Sequence, residues 1–249
     1  MAKLSLGLQL YTLRSEMESD FLGTLRKVKE IGYEGVEFAG FGNESIASIK
    51  KCLEEIDLKP ISSHVPINRL LHDLDRVIEE HLELGCTYLV CPWLEPDERH
   101  HYAELGQQLE VIGATCREHG LILCYHHHDF EFDKIDDRYA LDVILARQDA
   151  SLLSLELDMY WVTYAGVPLL PYIEQYQGRV PLMHVKDMED SAERAFAPVG
   201  TGQIPIDEAI QAGLHAGVKW FFVEQDVCKD DPIESITRSY AYLAAKGFV

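Results

Sequence analysis

No two cysteines stand in a CxxC pair, no cluster of Lys and Arg occurs, and nowhere do about 18 apolar residues follow one another. Each absence removes a class of protein. The six cysteines, Cys52, Cys86, Cys91, Cys116, Cys124 and Cys228, are scattered through 249 residues, a chain too large to need disulfide staples, so a reducing cytoplasm is the expected setting. Without a long apolar stretch there is no expected membrane span, and the opening MAKLSLGLQL lacks the apolar core and small-residue cleavage site of an export signal. With 42 acids against 22 bases and a net charge of −20, nucleic acid is an unexpected partner, because a phosphate backbone would be repelled over most of the surface. Neither GxGxxG after the first strand nor GxxxxGK[ST] occurs, which excludes the usual dinucleotide and nucleoside-triphosphate cradles.

What is present is a repeating alternation. Eight short apolar runs begin near Leu4, Gly35, Lys59, Tyr88, Leu121, Leu152, Val180 and Trp220, and amphipathic stretches separate them. In DFLGTLRKVKEIGYEG, Phe21, Leu25, Val28 and Ile31 share a helical face and Gly32 stops the helix. SIASIKKCLEEIDL repeats the arrangement with Ile46, Ile49, Leu53 and Ile56, and DLDRVIEEHLELGC and AELGQQLEVIGATCREHG fill the next two gaps. No Pro- or Ser-rich linker interrupts the series, and a chain of about 250 residues matches a single (β/α)8 TIM barrel, read here as one domain over 1–249.

Barrel enzymes carry their chemistry at the C-terminal ends of the strands. There the fifth run ends in Tyr125-His126-His127-His128, the sixth in Glu156-Leu157-Asp158, the seventh in His184-Val185-Lys186-Asp187 and the eighth in Glu224-Gln225-Asp226. Imidazole and carboxylate groups from successive strands can converge on one divalent metal ion, with Mn, Zn, Co, Fe or Ni suited to this donor set and Mg less so. Strand alternation turns His127 into packing and returns His128 to the mouth. Glu37 and His64 end the second and third strands and face the same cavity, and Trp93, Tyr160 and Trp161 offer an aromatic wall for a sugar's apolar face. Gly200 and Gly202 in VGTGQIP permit a tight turn, the nearest approach to an anion cradle.

The motifs LGLQLYTLR, IGYEGVEF, YHHHDFEF, ELDMYWV, HVKDM and VEQD, in this order over essentially the whole chain, resemble the xylose isomerase-like TIM-barrel superfamily and its sugar phosphate isomerase/epimerase branch. The resemblance implies one metal ion held by strands five to eight. Asp158, His184 and Glu224 stand at three ligand positions, and His126 stands where many members have a glutamate. Trp161 replaces the histidine of a frequent DxxH. The activity implied is proton abstraction next to the carbonyl of a sugar or keto-sugar, with Glu224 or His126 as base, Lys186 serving an oxyanion or donating a proton, and a metal-stabilised enediolate. Isomerase or epimerase is the first expectation, dehydratase or lyase on a keto-sugar or cyclitol the second, and non-catalytic carbohydrate binding a third. Glu37, His64, Trp93, His128 and Trp161 are the expected substrate contacts, and related barrels commonly form homo-oligomers.

Overall fold

A computed structural model describes residues 3–146 and 149–249. Met1, Ala2, Arg147 and Gln148, part of the expected 1–249 domain, lie outside the described residues, as does the start of the opening read for an export signal. Eight parallel strands, β1 (Leu6–Gln9), β2 (Gly35–Phe38), β3 (Lys59–His64), β4 (Tyr88–Cys91), β5 (Ile122–His126), β6 (Ser154–Asp158), β7 (Leu182–Val185) and β8 (Trp220–Val223), close into a barrel. Each strand pairs with its sequence neighbours, and β8 pairs with β1. This is a (β/α)8 TIM barrel, and its strand starts fall in the eight apolar runs.

The outer helices are α1 (Phe21–Ile31), α2 (Ile46–Ile56), α3 (Leu74–Leu84), α4 (Tyr102–Glu118), α5 (Ala140–Leu145), α6 (Leu169–Gln175), α7 (Ile206–Ala216) and α8 (Pro232–Ala245). Their ends follow local chemistry. The Asp20 carboxylate accepts from Gly23 N at the start of α1, Ser45 Oγ does so from Ser48 N at the start of α2, and Gly32 ends α1 with φ of +123°. Buried Leu25, Val28, Ile49 and Leu53 press these helices onto the strands. No helix among the described residues is long and apolar enough to cross a membrane.

Inside the barrel, depth sorts the side chains. Ile61, Tyr88, Val90, Cys124, Leu182 and Phe222 form an apolar plug separate from the larger core under the helices. Above it lies a polar layer in which register sets the neighbours: Gln9 opposes Glu37, His126 opposes Glu156, and Asp158 opposes His184. The plug seals the floor, so the polar layer opens only toward the C-terminal mouth.

On α4, Gly113 lies against the Leu152 carbonyl with no room for a Cβ. A Gly113→Ala chain is therefore expected to lose about 1–3 kcal/mol by overpacking, a melting temperature lower by roughly 2–12 °C at this length. Thermal unfolding followed by circular dichroism measures it, and an unchanged midpoint would mean that α4 sits farther out.

Candidate active site

The polar layer is built around His184, whose ring is engaged on both sides. Nδ1 lies 2.8 Å from Glu224 Oε2 and 3.7 Å from Asp158 Oδ2, while Nε2 lies 2.7 Å from Glu37 Oε1 and 3.3 Å from Glu156 Oε2. The ring is fully buried, and burial alone would keep it neutral; the charges of Glu156 and Glu224 outweigh burial and raise its pKa well above the usual imidazole range.

Asp158 is fixed by the start of the short helix Met159–Tyr164. Its Oδ1 caps that helix, accepting from Tyr160 N at 2.8 Å and Trp161 N at 3.1 Å, so Oδ2 is turned into the site, where it meets a buried cation rather than a backbone donor. His127 locks the same residue from behind. Its Nε2 accepts from Asp158 N at 3.1 Å and its Nδ1 faces the His128 carbonyl, an arrangement that sets its tautomer. The middle histidine of the triplet is thus buried, as strand alternation implies, but it holds Asp158 in place as well as packing against Phe132.

Lys186 brings its ammonium to 2.8 Å from Glu224 Oε2, 3.1 Å from Asp158 Oδ2 and 2.7 Å from Asp226 Oδ1. Burial opposes the charge, yet Asp158, Asp226 and Glu224 outweigh it and hold the ammonium above its ordinary range. Glu224 and Asp158 are driven below the usual carboxylate range against burial, first by Lys186 and next by His184.

The strand-end donors fall into two sets. Ligand atoms of Asp158, His184 and Glu224 lie within 4.8 Å of one another, and so do those of His64, His126, Glu156 and His184. The first set fits a divalent ion: two carboxylate oxygens and one imidazole nitrogen suit Mn, Fe, Co or Zn, and Asp158 Oδ2 is a buried carboxylate oxygen turned into the site, where its neighbour is the Lys186 ammonium at 3.1 Å. His126, expected to complete that set, belongs to the other one because register places it beside Glu156 rather than Asp158; its Nδ1 is 3.3 Å from Glu156 Oε2. Burial, then the neighbouring His184, His128 and His64, lowers its pKa and keeps it neutral. Glu37 differs in the same way. It is fully buried beneath His184 and takes a hydrogen bond from Gln9 Nε2 at 2.7 Å, so it does not line the cavity expected to bring it to substrate.

Over this site lies a cavity of about 1290 Å³, lined by His64, Trp93, His126, His128, Trp161, Lys186 and Glu224 among others. Trp93 and His128 meet edge to face, with ring centroids 4.7 Å apart, and Trp161 packs on the other side of His128 at 5.2 Å. Tyr160 takes no part in this wall. Its ring stacks on Phe196 at 4.3 Å and its hydroxyl donates to the Arg194 carbonyl, leaving Phe196 to line the cavity in its place.

The Gly200–Gly202 turn is not an open anion cradle, because Asp187 fills it. The Asp187 carboxylate accepts from the backbone N–H of Met188, Gly200, Gly202 and Ile204 at 2.8 to 3.1 Å. Four donors spent on one internal carboxylate leave none for a phosphate.

Glu156, Asp226 and Glu131 acquire places that strand-end reading left unassigned. Glu156 and Asp226 each lie two residues from a chosen ligand, so the period of two along a strand already put Glu156 on the inner face with Asp158. Glu131 leaves no such signal: it comes from the turn after β5, and its oxygens accept from Tyr125 Oη at 2.7 Å and His128 N at 2.8 Å, fixing the end of the histidine triplet.

A family model described as a xylose isomerase-like TIM barrel matches residues 25–246. Among curated proteins, an inosose dehydratase of Lacticaseibacillus casei is 28% identical over 175 residues, a match covering 60% of this chain and 57% of that enzyme, so the chain spans little more than half the length of such relatives. Among solved structures, a sugar phosphate isomerase/epimerase from Parabacteroides distasonis superposes with a TM-score of 0.86 at 23% identity, over all of this chain and 96% of that one. An IolI protein with a bound zinc atom superposes with a TM-score of 0.76 at 15% identity, over 98% and 99% of the two chains. At these identities the two superpositions establish the fold.

Burial pushes the Glu131 carboxyl up to about 7, against the pull of the Tyr125 hydroxyl, from an ordinary value of 4.5. Between those values the folded chain binds the proton and the unfolded chain releases it, so this group favours folding below pH 4.5 and loses that contribution as pH rises through 7. The difference amounts to about 3 kcal/mol. Glu131→Gln, whose amide can serve both neighbours, is expected to remove that slope. Urea unfolding of both chains at pH 5 and pH 7.5 tests it, and parallel losses in the two would show that Glu131 titrates normally.

Proposed function

Because the chain belongs to the xylose isomerase-like TIM-barrel family, we propose that it is a metal-dependent enzyme acting on a small polyhydroxy ketone, a keto-sugar or cyclitol ketone, by removing the proton next to the carbonyl. The observation that carries this reading is one wall of the cavity, where Glu224 Oε2 and Lys186 Nζ stand 2.8 Å apart beside the Asp158 and His184 donors. A base and an acid of opposite charge, adjacent and facing one cavity, are what elimination of water requires. Asp158, His184 and Glu224 would hold a divalent ion, whose chemistry when bound is Lewis-acid polarisation of a substrate oxygen.

The chain's own groups divide the remaining work. Glu224 accepts the carbon-bound proton, its Oε2 being steadied by His184 and Lys186. Lys186, kept as an ammonium by three carboxylates, donates a proton to the hydroxyl that leaves from the next carbon. Trp93, His128 and Trp161 set the sugar ring against an aromatic face and exclude water from it. Dehydration is favoured over the two-carboxylate epimerase scheme because β5 supplies His126 where that scheme needs a carboxylate. The inosose dehydratase relatives support the same choice. The filled Asp187 turn supports a substrate without phosphate.

Isomerisation or epimerisation is the second reading, favoured by His128. This imidazole lines the cavity from the segment just after β5, away from Lys186, with a buried Nδ1 that has no hydrogen-bond partner, and could return a proton to the substrate from another direction.

Incubation of the purified protein with keto-sugars and cyclitol ketones, with added Mn, Co or Zn and with chelator, separates the readings by product mass. Loss of one water marks dehydration, unchanged mass with altered mobility marks isomerisation, and binding that survives chelation without conversion ends the enzymatic reading. Glu224→Gln is expected to lower kcat by roughly 10²–10⁴ through loss of the base, and full turnover in that variant would remove Glu224 from the role.

A further inference from the structure

The donor set around Glu156 has a geometry of its own. Glu156 Oε2 is 2.9 Å from His64 Nε2, 3.3 Å from His126 Nδ1 and 3.3 Å from His184 Nε2, and the four ligand atoms all lie within 4.8 Å of one another. An ion with bonds of 2.0–2.2 Å in tetrahedral geometry separates its ligands by roughly 3.3–3.6 Å. Two of the three edges measured from Glu156 match that spacing, and the third is a few tenths shorter.

His64 Nε2 and Glu156 Oε2 hydrogen-bond at 2.9 Å, but two other polar atoms of the set are left unsatisfied. His126 Nδ1 has no hydrogen-bond partner, although Glu156 Oε2 is only 3.3 Å away, so the ring nitrogen is not aligned with that oxygen. Glu156 Oε1 is likewise unpartnered, and both residues are at least 98% buried. Orphaned polar atoms at such depth cost about 1–3 kcal/mol each, a cost that a bound cation would remove for the imidazole. A route inward exists, because His64 and His126 both line the cavity.

We propose that His64, His126, Glu156 and His184 form a second divalent-cation site, suited to zinc, on the Nε2 edge of His184 (the inner site), opposite the Asp158, His184 and Glu224 set on its Nδ1 edge (the outer set). Three imidazole nitrogens and one carboxylate oxygen are a donor set for zinc and its neighbours, whereas the outer set, richer in oxygen, also suits manganese. Glu37 Oε1, 3.1 Å from His64 Nε2 and 2.7 Å from His184 Nε2, places further negative charge behind the inner site. The two sets share His184 through opposite nitrogens, Nε2 inward and Nδ1 outward. Loading both requires that ring to give up its N–H protons to solvent and bridge the two ions as an imidazolate.

The test is metal stoichiometry by mass spectrometry after zinc loading and dialysis, on the full chain and on His64→Gln, Glu156→Gln and Asp158→Asn. Two ions per wild-type chain are expected, falling to one in each variant. His64→Gln keeps a polar group beside Glu156 at a partly open position, so it answers the question even if Glu156→Gln does not fold, and circular dichroism verifies folding. One wild-type ion that is lost in His64→Gln and kept in Asp158→Asn also supports the inner site, and instead removes the outer set from the proposed chemistry. A folded His64→Gln chain that holds as many ions as wild type overturns the inner site.

Discussion

The buried imidazole of His184, held from both edges by carboxylates, is the interaction on which the rest of the site depends. Isolated charges at this depth would each cost several kcal/mol, so none of Glu37, Glu156, Asp158 and Glu224 is tolerable alone. His184, Lys186 and His64 make them tolerable together: the His184 ring by touching all four, the ammonium by neutralising Asp158 and Glu224, and His64 by pairing with Glu37 and Glu156. The apolar plug beneath strengthens this arrangement, since Phe222 and its neighbours keep water from reaching the carboxylates from below.

A second layer of residues fixes these groups without touching the cavity. Asp158 spends one oxygen on a helix start and has its own N–H held by His127, which leaves its other oxygen a single direction. Asp187 does the same for the loop after β7 by gathering four amide groups, and Glu131 does it for the turn after β5. These three acids explain why so acidic a chain need not bind cations with all of its buried carboxylates: several are consumed by backbone donors. They also bear on specificity, because the loop that most resembles an anion cradle is already occupied from within.

The strand ends were legible in the sequence because the apolar runs stop there and polar residues begin, a pattern imposed by the boundary between a packed barrel and its open mouth. Thus His126, Asp158, His184, Lys186 and Glu224 could be gathered before any coordinates. Which of them meet was not legible. His126 and Asp158 look equivalent as the last residues of their strands, yet β5 pairs with β6 so that His126 opposes Glu156, two residues short of Asp158. Glu37 was misplaced for a related reason: a position near the end of a strand does not say whether a side chain points up into the cavity or down under a neighbour. Tyr160 and Trp161, adjacent on one helical turn, diverge by about 100°, and only packing against Phe196 decided which ring reached the wall.

By itself the sequence determined the alternation of strand and helix, the donors that line one end of the barrel, and the absence of nucleotide and membrane signatures, because periodicity and residue chemistry are local properties. Tertiary structure decided which of them meet. Strand stagger on closing the barrel is a relation between segments far apart in the chain, and it alone sorted the same imidazoles and carboxylates into one set around Asp158 and Glu224 and another around Glu156, with His184 common to both.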